Sequence, residues 1–295
     1  QMCYIVPNKF YKIGAGQELR RITAKYVSKL DDFGDMQLFP DKTIYSCIIT
    51  LCKECNKQLQ YTNVISLTDL WTGKEQENIE IKNEMLDENP WRLTTDIKFM
   101  KMIAKVEEHG KPLGEIVNIF NGIQTSAERP KPVYWFSKDE IVSEKEDEII
   151  VDKFEKRYHI EKSILKPFFK PTKADEKGMG TYSILKTDKH IIFPYNADGS
   201  LISIDVMKKE YPGTYQYLED CYELLVPKCL NGGKGRDIKN ATADTWYQYG
   251  RTQAITAFVN TPKLIVRILS KDPMYAYDEN NMLIASGGTA GYCAI

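Results

Sequence analysis

Long hydrophobic runs and histidine are both scarce in this sequence of 295 residues, which contains only 3 His. The longest apolar stretch, from Ile44 to Cys52, has the length of a strand and falls short of the roughly 20 residues that a membrane-spanning helix needs. No segment typical of a secretory signal opens the chain. We therefore expect a cytoplasmic globular protein without a membrane partner. Since the residues from Gln1 to Pro7 have the pattern of a buried strand, we also expect the sequence to be an excerpt of a longer one.

Several motifs for metal binding and hydrolysis are also missing. The 7 Cys are typical of free thiols in a reducing compartment rather than of a disulfide framework. Cys52 and Cys55 form half of a zinc motif, but no second pair with suitable spacing follows, so we predict no metal site. No Gly-x-Ser-x-Gly motif of a serine hydrolase occurs. The loop from Gly232 to Arg236 lacks the spacing of an ATP-binding loop.

An excess of charge of either sign is absent as well. The 40 Lys+Arg and 41 Asp+Glu give a formal net charge of -1, so the overall charge gives little indication of a polyanionic partner. The hydrophobic fraction of 42% and the charged fraction of 27% are ordinary for a globular protein.

Three regions of different character follow one another along the chain. Residues 1–71 have a strand–helix–strand pattern, with a continuous apolar run at 44–52 that is typical of a strand buried on both faces. The apolar face of the predicted helix comprises Leu19, Ile22, Tyr26, Val27 and Leu30. Residues 72–90 are polar and acidic, which predicts a linker. Residues 91–295 begin with a predicted helix and continue with short apolar runs between Gly, Asn, Asp and Pro, which indicates a β-rich domain. The predicted fold class is α/β followed by α+β.

Two series of short motifs run through these regions. The first is Tyr4-Ile-Val-Pro-Asn-Lys-Phe10, Gly14-Ala-Gly16, Asp32-Phe-Gly-Asp35 and Thr43-Ile-Tyr-Ser-Cys47. The second is Asn121-Gly-Ile-Gln-Thr-Ser-Ala127, Ile164-Leu-Lys-Pro-Phe-Phe169, Trp246-Tyr-Gln-Tyr-Gly-Arg251 and Gly287-Gly-Thr-Ala-Gly-Tyr292. The first series resembles the end of the catalytic domain of adenine-N6 DNA methyltransferases from restriction–modification systems. The second resembles the TaqI-like C-terminal specificity domain that occurs in type IIG and MmeI-like proteins.

This resemblance implies a division of labour along the chain. Residues 1–71 would form the tail of a Rossmann-like methyltransferase sheet, and residues 91–295 a mixed, β-rich target-recognition domain. The family's Gly-rich S-adenosylmethionine loop and its Asn-Pro-Pro-Tyr-type catalytic motif are both missing, since Asn89-Pro90 is followed by Trp91. The resemblance therefore implies that catalysis and S-adenosylmethionine binding belong to a missing N-terminal half, with or without a fused endonuclease. We predict that this chain alone is inactive, binds no cofactor, and has double-stranded DNA and that missing half as partners.

Recognition of a DNA duplex needs donors for base edges and cations or small polar groups for phosphates. The segment 121–126 has that composition, although a polar turn between strands has it too. The segment 246–253 combines aromatic, Gln and Arg residues, which suits either a groove-facing surface or an aromatic core. The Gly-rich basic loop 232–236 suits DNA phosphates or a plain surface loop. The candidate DNA-binding residues are Asn121, Gly122, Gln124, Thr125, Ser126, Lys166, Lys234, Arg236, Gln248, Tyr249, Arg251 and Gln253.

A pocket for a flipped target base is the last site that the resemblance implies. Leu51 matches the position at which the family stacks an aromatic side chain on the base, and Asn8 and Tyr11 lie in and after the Pro-Asn-Lys turn. Two other functions stay open. The 18 Tyr and 4 Trp also suit a carbohydrate-binding or carbohydrate-active β-rich module, and a protein-interaction piece without a ligand is the third hypothesis.

Overall fold

A computed structural model describes residues 1–42, 44–74, 76–170, 186–258, 261–268, 272–286 and 291–295. Thr43 and residues 287–290 of the motifs above lie outside the described residues. The described residues form two compact units, Gln1–Pro112 and Leu113–Ile295. The boundary therefore falls after Pro112 instead of at the predicted start of the second domain, residue 91.

The first unit is built around one mixed sheet. Its elements are β1 (Met2–Pro7), α1 (Lys9–Lys12), α2 (Gln17–Thr23), β2 (Val27–Gln37), β3 (Tyr45–Leu51), β4 (Gln58–Asn63), α3 (Leu67–Trp71), β5 (Asn78–Lys82) and α4 (Ile97–His109). The strand order is β1-β3-β2-β4-β5, with β3 antiparallel to both β1 and β2 and with β2 parallel to β4. The predicted buried strand is therefore β3, at the position of the continuous apolar run. Leu30, Cys47, Leu59 and Tyr61 from the three central strands are buried in its core.

The helix predicted after Gly16 is shorter than its apolar spacing suggested. α2 ends at Thr23, and Val27 and Leu30 belong to β2. Leu19 and Ile22, the helical part of that face, are about half exposed. The pairing of β2 with β3 and β4 outweighs the helical spacing of these apolar residues. It satisfies the backbone groups of β2 and buries Val27 and Leu30 completely.

The acidic segment 72–90 contains an edge strand and so is more than the linker that its composition predicted. β5 pairs with β4 in an antiparallel register, and Ile81 is buried while the neighbouring Glu80 and Lys82 are exposed. The strand alternates apolar and polar residues, as expected for a half-buried edge. Asn83, which follows it, donates hydrogen bonds of 2.8 Å to the carbonyl oxygens of Ala24 and Val27.

The second unit combines small sheets with helices, in agreement with the predicted β-rich character. Its strands are β6 (Phe120–Asn121), β7 (Trp135–Phe136), β8 (Ile141–Glu144), β9 (Glu148–Lys153), β10 (Lys156–Glu161), β11 (Leu165–Phe169), β12 (His190–Ile192), β13 (Lys263–Arg267), β14 (Tyr275–Asp278), β15 (Leu283–Ile284) and β16 (Tyr292–Ala294). Its helices are α5 (Ile204–Glu210), α6 (Pro212–Asp220) and α7 (Tyr222–Leu225). The sheet orders are β10-β9-β8, β15-β11-β12-β7 and β14-β13-β16-β6.

One apolar cluster joins these sheets and helices. Phe136, Ile192, Phe168 and Leu218 are completely or almost completely buried within it. α6 is held against the sheet β10-β9-β8 because the carboxylate of Glu161 accepts hydrogen bonds from the first amides of the helix, Gly213 (2.8 Å) and Thr214 (2.9 Å). The protein therefore has a mixed α/β architecture with several sheets. Every helix in the described part of the chain is too short or too polar to cross a membrane.

Candidate nucleic-acid interface

Two of the segments predicted to bind DNA meet in the second unit. Gln124 and Arg251 pair in antiparallel fashion: the Gln124 amide donates to the Arg251 carbonyl at 3.0 Å, and the Arg251 amide donates to the Gln124 carbonyl at 2.9 Å. The Gly250 amide adds a hydrogen bond of 3.2 Å to the Thr125 carbonyl. Two segments that are distant in the sequence thus lie side by side, joined by backbone hydrogen bonds.

Two glycines allow this close approach. A Cβ atom on Gly250 would lie 2.0 Å from the Ser126 hydroxyl oxygen, and one on Gly122 would lie 2.3 Å from the Ile284 carbonyl oxygen. No real Cβ atom tolerates such distances, so both positions require glycine for packing. Gly122, a predicted DNA contact, therefore allows its own backbone to pack closely against that of Ile284.

Polar side chains of the two segments face solvent wholly or in part, and five of them carry the site considered below. We call them the two-loop surface: Asn121, Gln124, Ser126, Arg251 and Gln253. Gln124 is half-buried and its amide nitrogen lies 3.4 Å from the Ser286 hydroxyl, whereas the other four residues are exposed. The set contains one guanidinium and three carboxamides, which are the groups that recognise the major-groove edges of guanine and adenine.

A carboxylate that the sequence analysis missed lies beside this surface. Glu128 accepts hydrogen bonds from the Thr125 hydroxyl (2.7 Å) and the Trp135 indole (3.2 Å), and it forms an ion pair with Lys170. Burial raises the pKa of Glu128, but the hydrogen bonds from Lys170 and Thr125 outweigh it and hold the pKa below its ordinary value of 4.5. The carboxylate is therefore charged at neutral pH. Thr125, predicted to contact DNA, is buried and directed at Glu128 instead.

Arg236 does not lie on the surface, in contrast to the prediction. Its guanidinium is buried and donates to four carbonyl oxygens, those of Leu225 (2.5 Å), Trp246 (2.6 Å), Gln248 (2.9 Å) and Thr125 (3.1 Å). These contacts use the donors that a phosphate would need.

The preceding glycine explains why the loop carries Arg236 inward. Gly235 has a φ of +112°, and a Cβ atom there would lie 2.2 Å from the Val226 carbonyl oxygen. Lys234, one residue earlier, is exposed, as is Lys166 on β11. The role of both lysines as phosphate contacts stays a prediction.

Tyr249 belongs to the core, as the alternative hypothesis for its segment held. Its ring is buried, its hydroxyl donates to the Ile192 carbonyl, and its amide donates to the Tyr195 hydroxyl at 2.7 Å. Trp246 is likewise buried. Gln248 is half-buried, and its carbonyl is one of the acceptors of Arg236.

In the first unit, two of the predicted base-pocket residues, Asn8 and Tyr11, bind a buried carboxylate. Asn8 donates to Asp32 at 2.9 Å, and the Tyr11 hydroxyl donates to the same carboxylate. Lys12 approaches it at 3.3 Å and Tyr61 at 3.4 Å. Asn8 and Tyr11 are only 2% and 1% exposed, and their polar groups are engaged by Asp32. Their role towards a base stays a prediction.

The Asp32 carboxyl is charged despite its burial. Burial raises its pKa, but hydrogen bonds from Tyr11 and Asn8 and the charge of Lys12 outweigh this effect and hold the pKa below its ordinary value of 3.8. Leu51, the third predicted pocket residue, lies half-buried at the end of β3, opposite Met2 and Val27 in the neighbouring strands. Its role towards a base stays a prediction.

Comparison with known proteins identifies the class: the chain is related to type II restriction–modification enzymes, as the two series of motifs predicted. It is 33% identical over 305 residues to the type II restriction enzyme and methyltransferase RM.Eco57I from Escherichia coli. The match covers 99% of this chain and 29% of that relative. The chain thus spans less than a third of the curated relative that it matches. No family model matches the chain.

One solved structure is similar in fold to this chain. The type IIL restriction-modification enzyme MmeI, whose structure was determined in complex with DNA, matches 99% of this chain and 33% of its own length, with a TM-score of 0.50 and 10% identity. The type IIG restriction endonuclease BpuSI matches 99% of this chain and 34% of its own length at 11% identity. Its TM-score of 0.31 is too low to bear on the fold.

Proposed function

We propose that this chain recognises a specific sequence of double-stranded DNA for an adenine-N6 DNA methyltransferase of a restriction–modification system. The observation that carries the proposal is the backbone pairing of Gln124 with Arg251. It unites two segments, each selected from the sequence for its DNA-binding composition, into one polar surface. The carbohydrate-binding alternative is not favoured, because the relatives are restriction–modification enzymes and the aromatic residues Trp246 and Tyr249 are buried.

Each side chain of the two-loop surface has a chemical role in the proposal. Arg251 would donate two parallel hydrogen bonds to O6 and N7 of guanine. Asn121, Gln124 and Gln253 would each pair with N6 and N7 of adenine. Ser126, Lys166 and Lys234 would bind phosphates, which fixes the register of the protein on the duplex without reading its sequence.

The first unit supports the methyltransferase part of the proposal through its open edge. Among the residues that the structure describes, β1 pairs with β3 and with no other strand, and Met2, Tyr4 and Ile5 are 55%, 54% and 50% exposed. An apolar edge strand of this kind aggregates unless it is covered. We infer that a strand of the preceding, N-terminal part of a longer protein pairs with β1. The order β1-β3-β2, with β3 antiparallel to both neighbours, would then be the end of a Rossmann-like sheet.

The residues of this chain do not fit a site for S-adenosylmethionine. The sequence lacks the family's Gly-rich loop and its catalytic Asn-Pro-Pro-Tyr motif, and the donors of Asn8 and Tyr11 are engaged by Asp32. The proposal therefore assigns the cofactor and the transfer step to the longer protein. This chain contributes recognition of the site around the target adenine.

Selection of bound duplexes from a randomised DNA pool tests the proposal directly. The 295-residue chain is incubated with the pool at low and at near-physiological salt, and the retained duplexes are sequenced. We expect enrichment of a short motif and an affinity that falls steeply as salt rises. The absence of both would contradict the proposal that recognition resides in this chain.

Two arginines provide a matched pair for the same assay. Arg251→Ala should lose about tenfold to a hundredfold in discrimination at a G·C position of the selected motif, since a bidentate contact is worth about 1–3 kcal/mol. Arg157 is also exposed, but it is paired with Asp152 on β9 and lies outside the two-loop surface. Arg157→Ala should therefore match the original chain. Equal behaviour of the two variants would contradict the assignment of Arg251.

A further inference from the structure

The carbonyl groups behind the two-loop surface converge on two buried side chains, Arg236 and Tyr134. Arg236 donates to the carbonyls of Thr125, Trp246 and Gln248, and Tyr134 donates to that of Tyr247 at 2.7 Å. The Tyr134 ring also lies 5.7 Å from the guanidinium carbon of Arg236. We call these two side chains the carbonyl anchor.

The anchor spans both loops and ties them to the core. The acceptor Thr125 belongs to the first loop, whereas the acceptors Trp246, Tyr247 and Gln248 lead into the second. The Nε donor of Arg236 reaches the Leu225 carbonyl at the end of α7. A guanidinium presents its donors in a fixed plane, so it sets the separation of several acceptors at once in a way that a lysine ammonium does not.

We propose that Arg236 and Tyr134 are positioning residues for DNA recognition. They hold the backbone from which Gln124 and Arg251 project, and thereby set the distance between the base-reading groups of the two loops. Both side chains are buried, Tyr134 completely and Arg236 to all but 6%, so neither acts by touching a phosphate. This inference rests on the proposed function.

The test compares two basic residues of one loop, Arg236 inside and Lys234 outside. Affinities of each variant of the full chain for the selected duplex and for a scrambled duplex are measured across a range of salt. Arg236→Lys keeps the charge but not the planar fork, and we expect it to lose at least about tenfold in discrimination with an unchanged salt slope. Lys234→Met should weaken both duplexes equally and reduce the slope by about 1.

The opposite pattern would overturn the inference. If Arg236→Lys discriminated as well as the original chain, the charge alone would suffice and the fixed geometry would have no role. If Arg236→Lys lowered the salt slope and spared discrimination, Arg236 would be a phosphate contact. Circular dichroism of each variant identifies any that fails to fold.

Tyr134→Phe carries the test if Arg236→Lys does not fold. It keeps the ring beneath Arg236 and removes only the hydrogen bond to the Tyr247 carbonyl. Discrimination should fall about threefold with an unchanged salt slope, and undiminished discrimination would overturn the inference. If the original chain shows no sequence preference at all, the proposed function fails before any variant is compared, and the positioning role fails with it.

Discussion

Asp32 in the first unit and Arg236 in the second are both buried charged side chains, but the two charges are satisfied in different ways. In the first unit the Asp32 carboxylate collects donors mainly from one short segment, residues 8–12, and from the Gly34 amide of its own strand. In the second unit Arg236 donates only to backbone carbonyls, and these come from three separate parts of the chain. The anion holds one short segment against β2, whereas the cation joins three parts of the chain.

This difference determines what a substitution leaves behind. Of the donors around Asp32, Lys12 is already partly exposed and can turn towards water. The carbonyls around Arg236 are fixed by the backbone and cannot turn away. A buried polar group that loses its partner costs about 1–3 kcal/mol, so the loss of Arg236 should be the more severe.

Among the variants that test this difference between Asp32 and Arg236, we expect the largest effect from Arg236→Met. Since it removes the partner of four carbonyls, we expect the free energy of unfolding to fall by about 4 kcal/mol. Urea denaturation of the full chain measures this change. Lys234→Met is the matched control and should stay within about 0.5 kcal/mol of the original, because its side chain is exposed. A loss below about 1 kcal/mol in Arg236→Met would show that the anchor is dispensable for stability.

Asp32→Asn should have the next largest effect, about 2 kcal/mol, because hydrogen bonds to a charged group are worth more than those between neutral groups. The carboxamide keeps one acceptor oxygen but brings an NH2 group towards the donors Asn8 and Tyr11. Asp35 belongs to the same motif and is exposed, so Asp35→Asn is the control. Equal stability of the two variants would show that the charge of Asp32 is not needed to hold residues 8–12.

The lowered pKa of Asp32 also predicts how the stability of the chain depends on pH. The folded pKa of Asp32 lies below its ordinary value of 3.8, so its charged form contributes stability that is fully present above about pH 4. This contribution is lost as the pH falls from there through the folded pKa. Over that range the stability of Asp32→Asn should decline less than that of the original chain. Parallel curves for the two proteins would contradict the lowered pKa.

The sequence predicted best where a residue's environment follows from its immediate neighbours. β3 was predicted from a continuous apolar run, which only a strand buried on both faces explains well. β2 was missed because the spacing of Val27 and Leu30 suits a helix as well as a strand, and because Asp31 and Asp32 suggest a surface turn. Both aspartates are in fact buried, and Asp32 is satisfied by donors that are distant in the sequence.

The candidate site shows the same limit. The segments 121–126 and 246–253 were recognisable from composition and resemblance, yet their pairing is a long-range contact without a sequence signal. Lys234 and Arg236 are both basic residues of one Gly-rich loop, but one is exposed and the other buried. Which of them faces inward depends on the approach of Gly235 to Val226. Composition identifies such a loop as basic without indicating which side chain is available to a ligand.

The prediction with the smallest expected effect concerns the close contact between the two loops and its importance for stability. Gly250→Ala would place a Cβ atom 2.0 Å from the Ser126 hydroxyl oxygen and 2.6 Å from its Cβ atom, and we expect a loss of about 1 kcal/mol. Ser126→Gly should be nearly neutral alone, because its φ of 57° suits glycine. Combined with Gly250→Ala it should restore most of the lost stability, since it removes the atoms that clash. A double variant as unstable as Gly250→Ala alone would place the strain elsewhere, and a double-mutant cycle in urea distinguishes the two outcomes. Gly114→Ala, where an added Cβ meets nothing within 4 Å, serves as the control for the general effect of replacing glycine in this unit.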